Sequence, residues 1–249
     1  MASSYTIATS LCGGHRDCVT VCPVGCILPA RDIAGNEYSF IDGSRCIACN
    51  ACYNVCPIDP IDVVTERDGK RDLVPMRWGL VPWWWSKPLK ELRMATFNAR
   101  AESVETKPVF RDAFKRSRCL IPMSGYFEWQ STPSGKQPWY FTASDGSPLL
   151  TAAGLWDEWK NRETGERVKS CTMIVGEPNE VAADIHDRMP VFLTQEQFAP
   201  WLSGEGGAEY LKPAPKDYLQ RWPVSKRVNS SKADADDPTL IDKVELQAA

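Results

Sequence analysis

The feature that most constrains this chain is the separation of its cysteines from its tryptophans. Eight of the ten Cys lie between Cys12 and Cys56, whereas all ten Trp lie at or beyond Trp78. The two distributions divide the 249 residues into a Cys-rich, Trp-free head and a Trp-rich, Cys-poor body, within the length range of two domains. The joint is placed at the polar stretch Thr65–Lys70, which contains the turn dipeptide Asp68-Gly69. The expected domains are therefore 1–66, 71–241 and a short tail, 242–249, with the polar chain from Ser230 onward loosely held. Ten Cys without a secretory leader point to metal or redox chemistry rather than a disulfide framework. With no charged n-region followed by an apolar h-region, and no apolar run near the ~18 residues a bilayer requires, the expectation is a cytoplasmic monomer with no membrane partner.

Charge divides the chain again. Residues 1–70 carry 5 Lys/Arg against 8 Asp/Glu, residues 71–130 carry 11 against 6, and residues 131–249 carry 13 against 18. The overall formal charge of -3 thus conceals a segment of net +5 that also holds Trp78, Trp83, Trp84 and Trp85. Such a segment is either a solvated surface over an aromatic core or a groove for a polyanion whose bases stack on the rings. The body reads as mixed, with strands over 72–80, 119–129, 139–141, 148–155 and 171–175 from their β-branched and aromatic runs. A helix over 194–202 opens on Thr194, and a short helix is expected over 180–187.

Residues 46–57 read Cys-Ile-Ala-Cys-Asn-Ala-Cys-Tyr-Asn-Val-Cys-Pro, the C-x2-C-x2-C-x3-C-P spacing that holds three corners of one iron–sulfur cubane and lends its fourth Cys to another. The earlier run has His15 where the same template needs a Cys. Cys46, Cys49, Cys52 and the crossed-over Cys22 make four thiolates for a [4Fe–4S] cluster. Cys12, Cys18 and Cys56 make three, which suits [3Fe–4S]. His15 either vacates the corner or ligates the iron of a second [4Fe–4S] cluster. Cys26 is left over as a small buried hydrophobe. The head, about residues 5–64, resembles a seven-iron bacterial ferredoxin. That resemblance implies a βαββαβ fold, one-electron transfer and a redox partner reductase, for which a basic surface would suit the acidic head.

In the body, Glu128 lies in the aromatic run Tyr126-Phe127-Glu128-Trp129, and His186 in Asp184-Ile185-His186-Asp187-Arg188-Met189-Pro190. Period-2 alternation puts Tyr126 and Glu128 on one face. Glu128 is either solvent-facing or desolvated, and a desolvated carboxyl can hold a proton near neutral pH. His186 is either a hydrogen-bonded surface histidine or part of a site. These two segments, with Arg77–Trp85, Phe97–Ser103 and Arg118–Trp129, and the later Arg221-Trp222-Pro223-Val224-Ser225 and Val228-Asn229, resemble the SOS response-associated peptidase (SRAP) family of abasic-site processing proteins over about residues 75–241.

The resemblance implies a mostly β, α+β domain that grips single-stranded DNA at an abasic site in the DNA damage response, with peptidase- or lyase-type hydrolase chemistry. Asn98 would position the site, Glu128 would shuttle protons, and His186 would assist ring opening or release of the DNA–protein crosslink. Arg100 and Arg188 would contact phosphates, and Trp84 or Trp85 would stack on bases. The family's nucleophile is an N-terminal Cys that closes a thiazolidine on the sugar aldehyde. Here residue 2 is Ala and the head occupies the place of the family's usual N-terminal segment, so crosslinking through a thiol is not expected. The alternative reading is an iron–sulfur electron carrier with a degenerate SRAP passenger.

Overall fold

The computed structural model describes residues 26–31, 37–41, 60–162, 165, 167–230 and 237–246. The chain divides into two compact units, 1–61 and 62–249. In the first, β1 (Ile27–Arg31) and β2 (Glu37–Ile41) form an antiparallel pair in which Leu28 faces Phe40 and Pro29 faces Ser39. Cys26 and Ile27 are buried. His15 and the seven cysteines assigned to iron, Cys12, Cys18, Cys22, Cys46, Cys49, Cys52 and Cys56, lie outside the described residues, as does Ala2. Among the described residues, no group of three or more His, Cys, Asp or Glu converges on a metal position.

The second unit is mostly β. Its strands are β3 (Pro60–Arg67), β4 (Lys70–Trp78), β5 (Asn98–Arg100), β6 (Arg118–Met123), β7 (Tyr126–Thr132), β8 (Gly135–Ala143), β9 (Leu150–Lys160), β10 (Arg167–Gly176), β11 (Met189–Pro190) and β12 (Leu219–Pro223). The helices are α1 (Arg111–Arg116) and α2 (Gln195–Ser203). The Asp-Gly pair in the stretch taken as a joint is a two-residue hairpin turn between β3 and β4. Asp68 and Gly69 have φ of 52° and 72°, the left-handed pair whose twist matches that of the flanking strands. Residues 62–70 accordingly go with the second unit.

Strands β10, β4, β3, β6 and β9 follow one another, and β9 returns to β10, closing the sheet into a barrel. Closure leaves no free edge in this ring. β10 carries the greatest load: it pairs antiparallel with β9 and β11 and parallel with β4 and β5. The filling is apolar, with Leu80, Ala99, Leu120, Ala153, Leu155, Ile174 and Trp201 in one buried cluster. Burial of the Leu and Ile side chains among them contributes about 1.5–3 kcal/mol each. Trp201 reaches the barrel from α2 and donates its indole N–H to the Cys119 carbonyl at 3.0 Å. A separate three-stranded sheet, β12-β8-β7, presents the site.

Several expectations change in the structure. The expected strand over 119–129 is two strands, β6 and β7, because the chain turns at Ser124-Gly125. The expected helix over 180–187 is a series of turns, with Ala182 N–H bonded to Asn179 O and Ile185 N–H to Ala182 O. The Asn179 side chain ties this path to its neighbours by accepting from Ala182 N–H and donating to Pro215 O. The described part of the tail is tied down. Trp222 donates to Ile241 O at 2.7 Å, Arg227 pairs with Asp237, and Lys243 bridges to Val224.

Candidate functional site

β7 and β8 pair in register from Tyr126 opposite Phe141 to Thr132 opposite Gly135, so Glu128 faces Trp139 and Gln130 faces Gln137 across the strands. Tyr126, Glu128 and Gln130 share one face of β7. The loop from Glu177 to Arg188 lies against that face. His186 Nε2 stands 3.7 Å from Glu128 Oε1, and Gln130 Nε2 donates to Asp184 O at 3.1 Å. The contacts lie two positions apart on the strand and two positions apart on the loop.

The hydrogen bonds assign the imidazole tautomer. Arg188 N–H donates to His186 Nδ1 at 3.0 Å, so the neutral ring carries its proton on Nε2, pointed at Glu128. Nδ1 also lies 3.2 Å from the exposed Asp187 carboxylate. Burial raises the Glu128 carboxyl above its ordinary pKa, and the nearby His186 partly opposes the rise. A half-buried acid with raised pKa beside an imidazole is the arrangement general acid–base work needs. Tyr126 lies further along the same face, stacked on Phe141 at 4.8 Å. Its hydroxyl is buried without a hydrogen-bond partner among the described residues, and burial together with Glu128 drives its pKa upward.

Asn98 and Arg100 are exposed on β5, which runs parallel to β10 with Asn98 beside Met173. Their connection to the Glu128–His186 pair runs through an ion pair. Arg188 holds Glu102 with two bonds, Nη2–Oε1 at 2.6 Å and Nη1–Oε2 at 3.0 Å. Glu102 follows Asn98 by four residues and Arg188 follows His186 by two, so the two segments are fastened together. The guanidinium expected to meet phosphate is thus already paired with a carboxylate, which its hydrogen bonds hold below the usual range.

The tryptophans sort differently from their order in the sequence. Trp84 is half-buried with its indole N–H on Pro108 O at 3.4 Å. Trp85 is half-buried against Val81, Trp159 and Val168, and its carbonyl accepts the Trp159 indole N–H at 2.6 Å. The aromatic rings presented to solvent from the basic segment are Trp83, 50% exposed, and Phe97, 53% exposed. Trp83 is held by its backbone N–H on Asp157 and its indole N–H on Asp112. Phe97 stands edge-on to Trp78 at 6.3 Å. No periodicity in a run of three Trp distinguishes the presented ring from the packed ones, because that choice depends on what packs beneath it.

Cys119 and Cys171 are buried, and burial drives both thiols up, Cys171 to about 12. Neither supplies a thiolate near neutral pH.

The family model for the SOS response associated peptidase (SRAP) matches residues 33–231. The chain belongs to the SRAP family. The match begins within the stretch read as the ferredoxin-like head. The chain is similar to abasic site processing protein YoqW of Bacillus subtilis, at 36% identity over 196 residues covering 76% of this chain and 85% of that protein. It is similar to abasic site processing protein YedK of Escherichia coli, at 30% identity with 72% and 80% covered. A solved structure from Bacteroides thetaiotaomicron superposes with a TM-score of 0.68 at 29% identity, covering 76% of this chain and 82% of that one. The fold is accordingly the mostly β, barrel-like α+β fold of this family. No helix among the described residues is long and apolar enough to cross a membrane.

Proposed function

We propose that this chain is an abasic-site processing protein that engages single-stranded DNA. The observation that carries the reading is the Glu128–His186 pair. A carboxyl raised by burial faces the protonated Nε2 of an imidazole whose other nitrogen is fixed by backbone. Asn98 and Arg100 lie on a segment tied to that pair through Glu102–Arg188. An abasic sugar opens to an aldehyde, and condensation with an amine needs a proton delivered to the departing hydroxyl and later withdrawn. Glu128 and His186 can each hold that proton. Arg100 would meet backbone phosphate, and the exposed Trp83 and Phe97 offer ring faces for bases. The relatives' description as abasic site processing proteins supports the same substrate.

The adduct in this reading is an imine formed with loss of water, and the buried Cys119 and Cys171 offer no thiol to close it into a thiazolidine. The test is a single-stranded oligonucleotide carrying one abasic site, incubated with and without borohydride. A covalent species appearing only with reductant supports the reading. A heat-stable adduct formed without reductant refutes the imine, and affinity no greater than for a neutral polymer refutes the DNA-binding reading.

The head adds a ferredoxin-type electron-transfer unit served by a reductase. The seven Cys named above would hold [4Fe–4S] and [3Fe–4S], or a second [4Fe–4S] completed by His15. The C-x2-C-x2-C-x3-C-P spacing supports this. Iron and acid-labile sulfide measured on the purified protein should approach seven or eight iron atoms per chain. A metal-free or zinc-only preparation would remove the head from this assignment.

A further inference from the structure

The turns that carry His186 hold no regular helix, so something must fix the ring against Glu128. The structure assigns that task to Arg221 on β12, a positioning residue that clamps the Asp184 carboxylate and thereby holds His186 in register with Glu128. This rests on the reading of Glu128 and His186 as the proton-handling pair. Arg221 grips Asp184 with two parallel bonds, Nη1–Oδ1 at 2.5 Å and Nη2–Oδ2 at 2.9 Å, the forked geometry that fixes orientation as well as distance. Its guanidinium lies over the Trp139 ring, 4.9 Å from the centroid. The Trp139 indole N–H in turn donates to Gln130 Oε1 at 3.2 Å, and Gln130 Nε2 donates to Asp184 O. Arg221, Trp139, Gln130 and Asp184 thus form a closed circuit spanning β12, β8, β7 and the loop.

The circuit has a directional consequence. Gln130 and Glu128 share a strand face, and Asp184 and His186 sit two apart on the loop. Locking Asp184 onto Gln130 therefore sets where His186 meets Glu128. Arg221 itself comes from neither segment. It enters from β12, paired with β8 so that Arg221 faces Phe141, and it braces the loop from the side. The planar fork and the stacking on Trp139 are properties lysine does not reproduce.

The test uses the full chain with Arg221→Met, Arg221→Lys and Asp184→Asn, and has two readouts. The first is the long-range 15N spectrum of the imidazoles. The chain has two His, so His186 is assigned by comparison with His186→Gln. The wild type shows the neutral ring with its proton on Nε2, and the Met and Asn variants show the mixed tautomers of a free ring. The second is borohydride-trapped adduct on the abasic oligonucleotide. Its rate falls on the order of 10²-fold, the loss expected from misplacing a reacting group by about 1 Å, while the dissociation constant stays within about twofold.

Unchanged tautomer and unchanged trapping rate in Arg221→Met overturn the assignment. So does full recovery in Arg221→Lys accompanied by a salt-dependent loss of affinity in Arg221→Met, which would make Arg221 a phosphate contact through charge alone. Asp184 is exposed on the partner side of the same contact, so Asp184→Asn keeps the test valid if an Arg221 variant does not fold. If the wild type forms no adduct at all, the functional reading fails while the tautomer readout still decides the clamp.

Discussion

Gly125→Ala is the substitution whose consequence follows most directly from the packing. Gly125 begins the turn into β7, three residues before Glu128. A Cβ there would fall inside van der Waals contact with the ring carbon Cζ and hydroxyl of Tyr140, and 2.5 Å from the carbonyl oxygen of Phe141. Neither obstacle can yield easily. The carbonyl belongs to β8, paired on both sides by β7 and β12. The Tyr140 ring is wedged between Phe127 at 5.1 Å and Trp222 at 5.4 Å. Overpacking of this kind costs about 1–3 kcal/mol, and two fixed obstacles place the loss near the upper end, at about 3 kcal/mol. For a chain of this size that corresponds to a fall in melting temperature of roughly 6–12 °C. Urea denaturation followed by tryptophan fluorescence should show a lower midpoint at unchanged slope. A matched Gly135→Ala variant, where a Cβ meets nothing within 4 Å but φ is 101°, reports backbone strain alone. A Gly125→Ala loss below about 1 kcal/mol would refute the close approach of β7 to Tyr140.

Three further outcomes follow from the same surroundings. Glu128→Gln should stabilise the protein near neutral pH, because burial makes the folded state prefer the protonated acid. The wild type loses stability as pH rises from its unfolded value through the raised folded value, so the advantage of Gln should vanish toward pH 4 in a series of urea midpoints; an advantage that grows on acidification would contradict the shift. Tyr126→Phe should be neutral or stabilising by up to about 1 kcal/mol, since the hydroxyl it removes is buried without a partner, and a large loss in the same assay would mean the hydroxyl has one. Glu102→Gln should release Arg188 from its ion pair, raising affinity for single-stranded DNA and steepening the log K against log salt slope by about 0.7; an unchanged slope would show that Arg188 does not reach phosphate.

The residue types that meet at the candidate site were legible in the sequence. Period-2 alternation placed Tyr126 and Glu128 on one face, and the structure confirms that face as the one meeting His186. Thr194 opened α2 as expected, with Gln197 reaching back to its backbone N–H. The reading failed where local signals had more than one tertiary solution. Asp68-Gly69 is a turn in either a linker or a hairpin, and strand pairing made it a hairpin. Residues 180–187 have helical composition, yet the backbone there runs through turns rather than a helix. The run Trp83-Trp84-Trp85 reads as offering Trp84 or Trp85 to bases, yet both of those are half-buried and Trp83 is the exposed ring.

What the sequence determined by itself was the inventory: a cysteine-spaced head, a basic aromatic segment, and the residue types for proton transfer in motifs of the SRAP family. Those follow from covalent spacing and side-chain chemistry, which the chain carries wherever it folds. Tertiary structure alone decided which groups meet. Closing β9 onto β10 fixed the frame. The approach of the 177–188 loop to β7 brought His186 to Glu128 across fifty-eight positions of chain, and Arg188 found Glu102 rather than open solvent. Contacts over such separations depend on the loop-closure cost being offset by burial elsewhere in the barrel, a balance that no local window of sequence contains.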